Sequence, residues 1–126
     1  MRAQRSFSGP ARDRCRELYL DLLEQTLSGA ILEDVGYIPT TDVRGPTLAS
    51  GYDAQRRARG IDWPSHAHTM IGLARLRNLR QLITQVLDEN IPGDLIETGV
   101  WRGGACIYMS RVAGGLWDQG PPRLGR

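Results

Sequence analysis

The residues best spaced for chemistry lie between Gly93 and Ser110, in GDLIETGVWRGGACIYMS. A short apolar run, DLIET, meets the carboxylate of Glu97. Gly99, Gly103 and Gly104 follow, and a helical pattern then begins. A strand, a glycine turn and a helix in this order make a ligand crevice at the carboxyl end of a strand in open α/β sheets. Three ligand chemistries compete for such a turn. A phosphate loop of the GxxxxGK[ST] type has the glycine spacing of Gly99 and Gly104, but Ala105 and Cys106 stand where a lysine and a hydroxyl are needed. A dinucleotide turn, GxGxxG, needs its second glycine so that the backbone can approach a pyrophosphate, and Trp101 occupies that place.

The third pattern is acidic-x-Gly-x-x-x-Gly, formed by Glu97, Gly99 and Gly103. It suits a cationic ligand without phosphates, which tolerates a bulky residue inside the turn. S-adenosylmethionine is such a ligand. Its methionyl ammonium suits a carboxylate at the strand end, while its carboxylate and ribose can use backbone N–H groups of the turn and the helix start. Gly99 is expected to permit a tight turn, and Gly103 or Gly104 to let helix and strand pack closely. The competing expectation is a structural strand-to-helix turn with no ligand. His66 and His68 form an H-x-H pair without a third ligand, so no metal site is assigned to them.

The elements that must position this turn are legible from periodicity. Asp13 to Ile31 reads as a first helix, with Leu18, Tyr19, Leu22, Leu23, Leu27, Ala30 and Ile31 inward and Glu17, Asp21 and Glu24 among the polar positions. Asp13 is expected to cap it. The next stretch, YIPTTDVRGPTLASGYDAQRRARG, has no sustained period and holds two prolines and three glycines, so it reads as a lid over a site or as disorder. A long helix is expected over Ser65 to Glu89, its Leu76, Leu79, Ile83 and Val86 face packing on neighbouring helices and on DLIET as a strand. Asn90, Pro92 and Gly93 stop it. A last helix runs from Gly103 to Val112, with Ala105, Tyr108, Met109 and Val112 inward. The organisation expected is a disordered leader over 1–12, a helix and lid-like loop over 13–64, the start of a ligand-binding α/β domain over 65–113, and an unstructured tail over 114–126.

Length and charge narrow the class. At 126 residues the chain is one domain at most. Its 16 basic residues, all Arg, against 14 acidic ones give +2, which points to neither nucleic acid nor an anionic membrane. No apolar stretch approaches the ~20 residues of a membrane span, and the leader has no apolar core of a secretory signal. Cys15 and Cys106 form no CxxC motif or disulfide framework, which fits a reduced, cytoplasmic setting.

The combination of DWPSHAHTMIGLARLRNL with IPGDLIETGVWRGGACIYM, together with RELYLDLLEQTL in the first helix, closely resembles the macrocin O-methyltransferase family of TylF and MycF type, over about Arg12 to Met109. The resemblance implies a class I Rossmann-like methyltransferase that uses S-adenosylmethionine and a divalent metal, usually magnesium. Such enzymes are oligomeric and methylate a sugar hydroxyl on a macrolide or related glycosylated metabolite in antibiotic biosynthesis. It also implies that the ETGVWRGG turn lines the methyl-donor pocket, through Glu97, Thr98, Gly99, Val100, Trp101, Arg102 and Gly103. The HTM segment adds Thr69 and Met70, with His68 near by, and the preceding loop adds Tyr52 as a candidate contact.

The sequence departs from the family pattern after Val112. A second strand ending in an acidic residue, an acidic metal cluster and an acceptor pocket are expected there, and AGGLWDQGPPRLGR stands instead. That departure leaves the sheet incomplete, with no catalytic or metal-ligating residue to assign. It reads as a frameshifted or prematurely ended frame. The alternative function is a truncated, catalytically inactive helical interaction module or relic of such an enzyme.

Overall fold

The computed structural model of the chain describes residues 9–41 and 43–114, so most of the leader and the tail after Gly114 lie outside the described residues. The elements run α1 (Pro10–Leu27), β1 (Gly36–Ile38), β2 (Thr47–Leu48), α2 (Ala54–Arg59), β3 (Trp63–Pro64), α3 (Gly72–Asp88) and α4 (Gly104–Val112). No helix among the described residues is long and apolar enough to cross a membrane.

Helix α1 begins at Pro10, whose fixed φ and missing N–H suit a first helical position. Asp13 lies inside the first turn rather than capping it. The helix ends four residues before Ile31, because the chain turns at Ser28 and at Gly29, where φ is +72°. Its buried face also differs from the expected one. Leu20, Glu24 and Leu27 point inward, whereas Leu18, Leu22 and Ile31 are exposed.

The core joins α1, α3 and α4 through Leu20, Leu27, Leu76, Ile83, Tyr108 and Val112, with Leu79 and Met109 packed at its margin. Each fully buried large apolar side chain contributes about 1.5–3 kcal/mol. A polar hub crosses the same three helices. Glu24 is 2% exposed and accepts hydrogen bonds from the Tyr108 hydroxyl, from Arg80 Nη1 at 3.3 Å and from Arg77 Nε at 3.3 Å. Arg80 also pairs with Asp21 at 2.7 Å and with Glu17. Arg16 closes the far end of α4, donating to the Val112 carbonyl at 2.8 Å.

The stretch read as a lid or as disorder carries regular structure in its described residues, which sets disorder aside there. β1 is the middle strand of a three-stranded antiparallel sheet, order β2-β1-β3, with Tyr37 opposite Leu48 on one side and Trp63 on the other. Asp53 caps α2 by accepting from the N–H groups of Gln55 and Arg56. The anchor is Arg57, 1% exposed. It pairs with Asp62 at 2.8 Å and donates to the carbonyls of Ser28 at 2.7 Å and Asp34 at 2.6 Å. A buried guanidinium with all its partners in place holds this segment where its periodicity shows nothing.

Helix α3 starts seven residues later than expected. Asp34 claims the intervening backbone: its Oδ2 accepts from the N–H groups of His66 at 2.9 Å and Ala67 at 3.0 Å. The Leu27 carbonyl accepts from His68 and Thr69. Gly72, with φ +77°, then turns the chain into the helix against Gly60.

The expected strand DLIET does not form. Asp94 to Thr98 carry no ladder hydrogen bonds, and Leu95 and Ile96 are exposed, so of the partners expected for the α3 face the helices α1 and α4 are found and the strand is not. A strand exists only with a neighbour to pair with, and none lies beside this segment among the described residues. Helix α4 follows the expectation, with Ala105, Tyr108 and Val112 buried.

Candidate functional site

The glycine turn and the segment after His68 meet through the backbone. The N–H of Gly104 donates to the His68 carbonyl at 2.9 Å. A Cβ on Gly104 would lie 2.5 Å from that oxygen and 2.9 Å from the Thr69 Cβ, so no larger residue fits. Gly103, at φ +79°, sets the turn that starts α4. The expected close approach is therefore present, but it joins a helix start to a loop and not to a strand. Gly99 has open space around its Cα and a φ outside the left-handed region, so the tight-turn role expected for it is not seen.

Between these two segments lies a cavity of about 90 Å³. Thr69, Met70, Glu97, Gly99, Trp101, Arg102 and Gly103 line it, together with His68, Ile71, Gly104 and Ala105. Thr98 and Val100 are not among its walls, and Val100 is exposed. Tyr52 lies elsewhere, its ring 5.5 Å from the Arg57 guanidinium, in an open depression beside Ile38 and Asp53.

Arg102 donates from Nη1 to the carbonyls of Ser65 at 2.9 Å and Ala67 at 3.0 Å, and its guanidinium stacks 4.0 Å from the Trp101 ring. It ties the turn to the loop ahead of α3 as a structural clamp. His66 meets Asp34, with Nδ1 to Oδ1 at 3.1 Å, and does not line the cavity. Glu97 is met by a residue that sequence reasoning left out. The Cys106 thiol donates to Glu97 Oε2 at 2.7 Å. That bond, burial and the negative charge of Glu97 push the thiol's pKa up. An acid and a thiol nine residues apart carry no sequence signal of contact; only the turn brings them together.

The wall thus presents a carboxylate, a buried threonine, a thioether and an aromatic ring around a small volume. A site of this make-up can receive a cationic group beside an apolar surface. The fold is α/β and the site sits at a glycine turn before a helix. Over residues 16–116 the chain matches the model of the macrocin O-methyltransferase family, TylF, and it belongs to that family.

It is 50% identical over 95 residues to demethyldecarbamoylnovobiocin O-methyltransferase of Streptomyces niveus, covering 75% of this chain and 35% of that protein. It is 48% identical over 97 residues to 8-demethyl-8-(2,3-dimethoxy-alpha-L-rhamnosyl)-tetracenomycin-C 4'-O-methyltransferase of Streptomyces olivaceus, covering 77% of this chain and 35% of that protein. The solved structure of the O-methyltransferase NovP is similar with a TM-score of 0.65 and 45% identity, covering 77% of this chain and 36% of that one. The chain spans about a third of the length of the relatives it matches.

Proposed function

We propose that this chain is the donor-binding N-terminal part of an S-adenosylmethionine-dependent O-methyltransferase that modifies a sugar hydroxyl on a glycosylated natural product. The observation that carries the reading is the junction of Gly104 with His68, which gathers Thr69, Met70, Glu97 and Trp101 around one cavity. The rhamnosyl group in the name of the Streptomyces olivaceus relative supports a sugar as the acceptor. In this reading residues 65–113 begin a Rossmann-like domain, and the enzyme works in the cytoplasm as an oligomer.

The residues present fit one end of the donor. Small-molecule sites usually enclose about 300–1,000 Å³, so a cavity of about 90 Å³ takes the methionyl end and leaves the nucleoside outside it. Glu97 receives the ammonium, while Met70 and Trp101 offer apolar surface beside the sulfonium. When bound, the donor supplies an electrophilic methyl group for in-line displacement by a hydroxyl. What these residues contribute is orientation. Magnesium belongs to the same family reading, but the described residues hold no group of three or more His, Cys, Asp or Glu placed for a metal.

The competing reading, an inactive helical interaction module, draws on the exposed Leu18, Leu22 and Ile96. Amide chemical shifts of the chain titrated with millimolar S-adenosylmethionine separate the two. Changes confined to His68–Ile71 and Glu97–Ala105 are expected. An unchanged spectrum, or changes only on α1, overturns the donor reading.

A further inference from the structure

We propose that Cys106 is a positioning residue for the Glu97 carboxylate, and that it prepares that carboxylate for a primary ammonium group. The inference rests on the donor reading and adds a residue to it. The thiol holds Oε2 at 2.7 Å. The second oxygen accepts no hydrogen bond and Glu97 has no ion-pair partner among the described residues.

The donor's chemical type matters here. A carboxylate on a cavity wall needs a hydrogen-bond donor to fix its rotamer, and a guanidinium or ammonium would do so at the cost of cancelling its charge. A thiol is neutral. It restrains one oxygen and leaves the negative charge available to a cationic ligand. Arg102, the cation on the same wall, is committed to the carbonyls of Ser65 and Ala67 and to the Trp101 ring. The other titratable group on the wall is His68, whose side chain is exposed. The anionic oxygen is therefore held and unquenched at once, the arrangement a site needs to recognise an ammonium before the ligand arrives. Cys106 does not itself line the cavity, so its effect runs through Glu97.

Two measurements on the 126-residue chain test this. In a Cys15→Ser background the ionisation of Cys106 is followed by thiolate absorbance. Glu97→Gln should shift its midpoint to lower pH, because the carboxylate both accepts from the thiol and opposes the thiolate charge. An unmoved midpoint overturns the pairing whether or not any ligand binds. The second measurement is the donor dissociation constant from chemical-shift titration. Cys106→Ser keeps an O–H donor and should bind within about twofold of the parent. Cys106→Val is close in size without a donor, and should bind five- to tenfold more weakly with the rest of the amide spectrum unchanged. Equal affinity of Cys106→Val and parent overturns the positioning role. If no variant, the parent included, responds to the donor, the donor reading fails and with it the positioning role, while the thiol titration still decides the pair.

Discussion

At the scale of single residues, two buried carboxylates do most of the joining. Glu24 sits on a helix whose sequence places it among polar positions, yet it is 2% exposed because Tyr108, Arg80 and Arg77 reach it from two other helices. Burial and the Glu24 carboxylate together push the Tyr108 hydroxyl well above its ordinary pKa, so it stays a donor throughout the physiological range. Tyr108→Phe should destabilise the chain by about 1.5–3 kcal/mol, the usual worth of a hydrogen bond to a charged group. A urea midpoint equal to the parent's would show that the arginines alone satisfy Glu24. Asp34 carries a pH dependence. Burial raises its pKa, but the N–H groups of His66 and Ala67, the His66 ring and the nearby Arg57 outweigh it and hold the carboxyl below the ordinary aspartate value. A depressed folded pKa contributes stability that is present above about pH 4 and is lost as pH falls through the folded value. Asp34→Asn should therefore lower stability at pH 7 and flatten its fall below about pH 4. Parallel acid unfolding curves for parent and variant would rule this out.

At the scale of elements, the start of α3 is decided by a backbone contact. Gly60 and Gly72 both have positive φ, and a Cβ on Gly72 would lie 2.4 Å from the Gly60 nitrogen and 2.7 Å from the Arg57 carbonyl. Helix propensity alone favours alanine over glycine by about 1 kcal/mol. Here the left-handed backbone and the collision win. Gly72→Ala should destabilise by more than about 1 kcal/mol, and it should free Arg57 from its partners in the process. Thermal unfolding at or above the parent's midpoint would show that α3 can begin earlier and that the contact is dispensable.

At the scale of the whole molecule, three helices with an antiparallel sheet beside them make a core, while the segment leading into the glycine turn stays without a ladder. Glu97 and Gly99 stand on that unsupported segment. The Glu97 side chain is held by Cys106, but the backbone of Asp94 to Thr98 has no ladder to fix it. Any ligand there has to hold that backbone as well as make its own contacts, which lowers the apparent affinity by the competent fraction. The 126-residue chain should therefore show no saturable heat of binding with S-adenosylmethionine at micromolar concentration, even though weak shifts appear at millimolar donor. Low-micromolar affinity would mean that the backbone leading into the turn is already in its binding form without a paired strand.

The helical spacing from Gly72 onward and from Gly104 onward was enough to place α3 and α4 and most of their inward faces, because a 3.6-residue period is a local property of the chain. The joining of the HTM segment to the glycine turn follows from the family resemblance, and the structure brings Thr69, Met70, Glu97, Gly99, Trp101, Arg102 and Gly103 around one cavity. Other features needed the tertiary structure. The loop before β3 is ordered by Arg57, whose partners at Ser28 and Asp34 lie 29 and 23 residues away. The turn of α3 displaced from Ser65 is taken by Asp34, 32 residues from His66. Glu24 is buried by Tyr108, 84 residues away, and DLIET lacks a strand's ladder because no neighbour lies beside it. A side chain's period along its own helix can be read locally. Whether a charge is buried, or a run of apolar residues becomes a strand, depends on partners that only the folded chain brings within hydrogen-bonding distance.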